Sequence, residues 1–256
     1  MPCVGSIVAV LVHARCMSTL ALIPARGGSK GIPRKNLLNV AGKPLILWTI
    51  EQALAVPGLR VAVSTEDPEI ATVAAAAGAW IIARPADLAQ DETATEPVVE
   101  HAIVKYTERF GRPDRVLLLQ ATSPVRRPGT IDRALAQFDR DSVDSLVGVV
   151  HTPPFIWSLD DDQAVAHWDW QHRLRRQDMR ADQLRYRETG SLYLTRTDIY
   201  ERTHNRMGGR IGLFVMDEVE GIDIDTLDDV AVAESMLGGL VGQPTPAWTP
   251  GCKSAS

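Results

Sequence analysis

The chain has 256 residues, 45% hydrophobic and 23% charged, with a formal net charge of -5. That length and apolar content suffice for one substantial core with a small appendage, and the acidic balance without a long Lys/Arg tract argues against nucleic acid as a partner. Cys3, Cys16 and Cys252 lie near the ends without CxxC or Cys/His spacing, which argues against zinc and disulfides and for a reducing, cytoplasmic setting.

The apolar run from Val4 to Val12 is too short to span a bilayer and lacks a basic segment before it or a small-residue cleavage pattern after it, so no membrane partner is expected. Residues 1–18 read as a disordered or over-extended arm, because Met17 stands just before the first convincing strand, Thr19 to Ile23. A glycine-rich turn follows, and a helix is predicted from Pro44. Next come a strand from Arg60 to Ser64, a helix from Pro68 to about Ala77, and a strand from Ala79 to Ala83. A helix from Thr95 to Arg109, a strand from Arg115 to Gln120, a helix from Pro128 and a strand from Ser145 to Val150 complete the series. This alternation predicts an α/β fold, a doubly wound, mostly parallel sheet. From His151 to Arg187 the pattern breaks, with Trp157, Trp168 and Trp170 among many charges. Segment 151–187 is therefore expected to be an insertion whose aromatic residues pack on the parent domain or meet a second subunit. Strands resume at Ser191 to Thr195 and near Arg210 to Met216, before a helix from Leu227 to Leu237 that Gly238 and Gly239 should stop. The main domain thus spans 19–238, and 239–256 is expected to be disordered.

The loop after the first strand, Arg26-Gly27-Gly28-Ser29-Lys30-Gly31-Ile32-Pro33-Arg34-Lys35-Asn36, carries four cations, and no acidic residue precedes Glu51. Glycines let backbone N-H groups approach an anion, Arg offers a planar fork and Lys a mobile point charge, a combination suited to a triphosphate. Neither the Walker A pattern nor the dinucleotide fingerprint can be read there. The opposite pole lies between Asp217 and Asp229, where seven carboxylates crowd and no Lys or Arg occurs from Ile211 to Cys252. In an extended segment Asp223 and Asp225 face one side while Ile222 and Ile224 enter the core. Two oxygen donors of this kind suit Mg²⁺, which completes its shell with waters and phosphates. Asp228 and Asp229 read instead as the acidic first turn of the last helix. Between the poles, Gln120 to Arg126 should line the same crevice, with Gln120 able to donate and accept in a polyol pocket. Arg84 sits at an equivalent strand end, where it either reaches a base or phosphate or forms a surface ion pair. No His, and neither Ser29 nor Ser123, shows the companions of a nucleophilic triad.

With these motifs in this order and spacing, the chain from Leu20 to Leu237 resembles the N-acylneuraminate cytidylyltransferases. The likeness rests on Ile23 to Pro33 with Lys35-Asn36, on Ser64-Thr65-Glu66-Asp67, on Arg84-Pro85, on Gln120-Ala121-Thr122-Ser123-Pro124 and on Ile222-Asp223-Ile224-Asp225. It implies a nucleotide-diphospho-sugar transferase-like domain that dimerises through the insertion and couples CTP to a nine-carbon 2-keto sugar acid. By the resemblance, Arg26, Lys30 and Lys35 hold the triphosphate, Asn36, Arg84 and Thr93 to Thr95 surround the cytidine, and Gln120 touches the sugar acid. Arg176 and Arg187 would lie near the sugar carboxylate or in a partner subunit, with Mg²⁺ on Asp223 and Asp225. Two departures fall on the sugar side. Thr189 stands where the family shows Asn, and Arg176-Gln177-Asp178-Met179 lacks the usual following Pro. Another nonulosonate or Kdo thus remains open as acceptor. Asp223-Ile224-Asp225 also satisfies the DxD pattern of nucleotide-sugar glycosyltransferases, and a nucleotide sensor without turnover is the non-enzymatic rival.

Overall fold

In the computed structural model, which describes residues 17–175, 178–180 and 183–240, strands and helices alternate through most of the chain. The elements are β1 (Thr19–Pro24), β2 (Asn39–Val40), β3 (Lys43–Pro44), α1 (Leu45–Leu54), β4 (Arg60–Thr65), α2 (Pro68–Ala76), β5 (Trp80–Ala83), α3 (Thr95–Phe110) and β6 (Arg115–Leu119). There follow α4 (Thr130–Asp141), β7 (Ser145–Thr152), β8 (Trp157–Asp160), β9 (Gln163–Ala166), β10 (Arg185–Arg196), α5 (Thr197–Thr203), β11 (Ile211–Val215) and α6 (Leu227–Leu240). Seven strands form one sheet in the order β11-β7-β10-β6-β1-β4-β5. Only β10 runs antiparallel to its neighbours in that sheet.

The strands are apolar on both faces because helices cover both. In β1, Ala21 and Ile23 pack with Ile46 and Ile50 of α1, Ile70 of α2 and Ile131 of α4, whereas Leu20 and Leu22 meet Val99, Ala102, Ile103 and Tyr106 of α3. Each such large side chain contributes about 1.5–3 kcal/mol by leaving water. β1 pairs with β4 on one side and β6 on the other, so the chain crosses back after β5 and a crevice opens at the carboxyl ends beside β1. That is where open α/β sheets bind ligands.

Local chemistry sets the element ends. Asp67 caps α2 by accepting from the N-H groups of Glu69 and Ile70, with Pro68 in the first turn. The helix predicted from Pro128 begins at Thr130, because Gly129 adopts a left-handed φ of 76°. α6 continues through Gly238 and Gly239 to Leu240; each glycine costs a helix about 1 kcal/mol and forbids nothing. Within 151–187, β7 runs on to Thr152 and β10 already starts at Arg185, with the β8-β9 hairpin between them. Of the arm expected at 1–18 only Met17 and Ser18 are described, and of the tail expected at 239–256 only Gly239 and Leu240; the remainder of both, like Arg176, lies outside the described residues. Among the described residues, no helix is long and apolar enough to cross a membrane.

Candidate active site

The carboxyl ends of β1, β5 and β6 open on a cleft of about 420 Å³. Its walls include Arg26, Ser29, Lys30, Lys35 and Asn36 from the first loop, Arg84 after β5, Thr93 and Thr95 at the start of α3, Gln120 after β6, and Asp225. Gly27, Gly28, Arg187 and Asp223 are not part of the wall.

Gly27 works from behind. Its N-H donates to Glu66 Oε1 at 2.7 Å, and a Cβ placed there would lie 2.4 Å from Asp67 Oδ2. The loop is thereby laid directly on the Glu66-Asp67 turn that ends β4, an approach only glycine permits. A Cβ on Gly28 would meet open space. Buried Asn36 ties the loop to itself, its Nδ2 donating to Arg26 O at 3.0 Å. Arg34 turns away from the cleft and binds Asp67 and Glu69, so three of the four loop cations remain in the wall.

Those three have internal counter-ions. Arg26 Nη1 lies 2.8 Å from Asp91 Oδ1, and Lys30 Nζ lies 3.6 Å from Asp91 Oδ2. Lys35 Nζ donates to Ile224 O at 2.6 Å and to Asp225 Oδ1 at 3.0 Å. Asp91 is the functional candidate that the sequence reading passed over. In the sequence it stands between Arg84-Pro85 and Thr93, with no motif of its own. Arg84 is buried in the cleft wall rather than paired on the surface: Nε donates to Ser64 Oγ at 3.2 Å, and Glu66 Oε2 is 4.0 Å away. Burial lowers its pKa below the ordinary guanidinium value, against the pull of Glu66.

The acidic pole is less naked than its sequence implies. Asp217 pairs with Arg127, and buried Glu220 accepts from Arg127 N, Thr130 Oγ1 and Asp217 N. Asp229 accepts from the N-H groups of Asp225 and Thr226 and from the Thr226 hydroxyl, which together hold its carboxyl below the usual range. Asp223 Oδ1 accepts from Ser123 Oγ at 3.3 Å, while Asp225 is exposed in the cleft. The Ile224 N-H donates to Thr122 O at 2.8 Å, which fixes this segment against the loop after β6. No group of three His, Cys, Asp or Glu side chains able to hold a metal occurs among the described residues. The donor set Asp223 and Asp225 therefore does not fit an all-protein cage. Asp225, the one of the two that lines the cleft, is an oxygen donor of the kind Mg²⁺ accepts when water and phosphates complete its shell.

The loop after β6 divides its polar groups between cleft and interior. Gln120 and Thr122 line the cleft, but Arg126, also expected there, is buried. Its Nη1 donates to Thr49 Oγ1 and Gln52 Oε1, and its Nη2 to Gln120 O at 3.1 Å and Ser191 O at 2.7 Å. Burial brings its pKa down to about 10. Arg187 donates to Gly221 O at 3.3 Å. Thr189 is buried with its hydroxyl on Gly148 O at 3.0 Å, so the residue that departs from the family pattern points into the sheet.

Comparison with known proteins identifies relatives of the chain. The chain is 33% identical over 222 residues to N-acylneuraminate cytidylyltransferase B of Danio rerio, covering 85% of this chain and 51% of that protein. It is 31% identical over 225 residues to a pseudaminic acid cytidylyltransferase of Campylobacter jejuni, covering 85% and 95% respectively. It thus spans about half the length of the N-acylneuraminate cytidylyltransferases it matches. The fold is shared with a CMP:2-keto-3-deoxy-manno-octonic acid synthetase solved with CTP, at a TM-score of 0.64 and 19% identity over 87% of this chain and 99% of that one. A 4-diphosphocytidyl-2C-methyl-D-erythritol synthase gives the same TM-score at 12% identity over 87% and 100%. The family model described as cytidylyltransferase matches residues 20–217, and on that match, with the relatives above, the chain belongs to the cytidylyltransferase family.

Proposed function

We propose that the protein couples CTP to a sialic acid-like nonulosonic acid, giving a CMP-sugar and pyrophosphate. The observation that carries the reading is one cleft whose wall brings together Arg26, Lys30, Lys35, Asp225 and Gln120. The anomeric 2-hydroxyl of the sugar acid attacks the α-phosphorus of CTP; an O-P bond forms, the bond to the bridging oxygen of the β-phosphate breaks to release pyrophosphate, and the hydroxyl proton passes to water. Positioning and charge neutralisation carry such a transfer. Arg26, Lys30 and Lys35 bind the phosphates, and Arg26 and Lys30 stabilise the departing pyrophosphate. Asp225, with Asp223 in the same segment, is suited to Mg²⁺, which when bound supplies further neutralisation of phosphate charge. Asn36, Arg84 and Thr93 to Thr95 form the cytidine side, and Gln120 the sugar side. Arg176 and Arg187 serve the sugar carboxylate or a partner subunit.

Homodimerisation through the insertion belongs to the same proposal. It is supported by Ile156, Trp157, Leu159 and Trp170, all exposed on or beside the β8-β9 hairpin. So does a cytoplasmic setting, where CTP is made. The glycosyltransferase reading is disfavoured by position, since Asp223-Ile224-Asp225 directly precedes the last helix, α6, instead of following a mid-domain strand. Purified protein with CTP, Mg²⁺ and a panel of nine- and eight-carbon 2-keto sugar acids should release pyrophosphate with a nine-carbon member. Release with Kdo alone would reassign the acceptor, and silence across the panel would overturn the proposal.

A further inference from the structure

Strand β10 loses register against β7 between Glu188 and Tyr193, and inside that bulge Gly190 takes a left-handed φ of 71°. Bulges of this kind re-aim side chains next to active sites. A Cβ added to Gly190 would lie 2.7 Å from Gln120 Oε1, too close unless the end of the Gln120 side chain shifts. We propose that Gly190 is a positioning residue whose missing side chain seats the Gln120 amide in the cleft. The inference rests on the reading of Gln120 as a sugar contact.

The contact has one adjustable partner. Arg126 Nη2 bridges Gln120 O and Ser191 O, so a single buried guanidinium pins the backbone on both sides. Thr189 locks the bulge from the other direction, its hydroxyl donating to Gly148 O and accepting from Ser191 N at 3.2 Å. With both backbones held, a side chain at position 190 displaces the Gln120 amide rather than the strand. A glycine needed only for its backbone angle would influence stability and leave Gln120 where it is.

The test separates those roles. Gly190→Asn keeps a residue that accepts left-handed backbone at modest cost yet carries a Cβ. It should raise the acceptor KM about tenfold with the CTP Kd within about twofold, a loss confined to one substrate. In a Gln120→Ala background the same substitution should add less than about twofold, because the two changes act through one contact. An unchanged acceptor KM in folded Gly190→Asn, or the full increase persisting in Gln120→Ala, would overturn the proposal. Two NMR readouts need no turnover. Wild type should show a nuclear Overhauser contact between the Gly190 Hα and Gln120 side-chain amide protons, and that amide resonance should move in Gly190→Asn. Absence of the contact sinks the proposal even if no variant folds. A moved resonance in a protein inactive on every sugar acid would support the seating and overturn the acceptor reading instead.

Discussion

Asp91 is the shared counter-ion of Arg26 and Lys30. It neutralises Arg26 and Lys30, yet its side chain is 47% exposed and that of Lys30 69%, so the pairs are weak, each about 0–1 kcal/mol. A triphosphate carrying several charges displaces such a partner readily. Asp91→Asn should therefore tighten CTP about threefold to fivefold by calorimetry, the gain expected from removing a competitor worth under about 1 kcal/mol; weaker binding would mean that Asp91 itself helps to hold the nucleotide. Lys30→Ala and Asp225→Ala should each cut turnover about a hundredfold or more if each supplies about 3 kcal/mol to the transition state. Near-wild-type pyrophosphate release by either variant would remove that residue from the mechanism. Asp67 carries a pH signature. Burial pushes its carboxyl up, but hydrogen bonds from Arg34 and the Ile70 N-H outweigh it and hold it below the ordinary value. The unfolded chain then binds the proton more readily, so this stabilisation is full at neutral pH and fades as pH falls below about 4. In urea melts, the gap between wild type and Asp67→Asn should shrink on acidification; a constant gap would contradict it. At this scale the sequence announced the cations and Asp225 but not Asp91, whose meaning depends on a side chain 65 residues away.

Strands and helices were easier to read than the groups between them. Apolar runs and the punctuation of Pro and Gly marked the elements because burial and backbone geometry are local demands. Long-range pairing was hidden. The crowd from Asp217 to Asp229 looked uncompensated, yet Arg127, Thr130 and Ser123 from distant segments answer several of its carboxylates. Glu220 is the most consequential of these, joining the start of α4 to the turn that precedes the Asp223-Asp225 segment. Glu220→Ala leaves the half-buried Arg127 N-H and the buried Thr130 hydroxyl without their acceptor and should lower stability by about 1–3 kcal/mol, read as a shift in the urea midpoint. A midpoint unchanged within error would show that water replaces the carboxylate without cost.

The order of elements foretold a doubly wound molecule, but the reversed direction of β10 was invisible, since alternation along a strand is the same read either way. Segment 151–187 was legible only as a break in pattern, because the demand that places Trp157, Leu159 and Trp170 at the surface is not core packing. If the demand is a second copy, wild type should run as a dimer in light scattering at micromolar concentration, and Trp157→Ser with Leu159→Asp as a monomer. A monomeric wild type would retire the homodimer.

Lys35 meets Asp225 across 190 residues of sequence, and a Cβ on Gly31 would strike Asp225 O at 2.6 Å. A nascent chain halted on the ribosome before Ile222 can have built most of its sheet while still lacking the Asp225 wall of the cleft. If CTP is the ligand, as proposed, chains cut before Ile222 should lack its protection against proteolysis, and chains that include Asp225 should gain it.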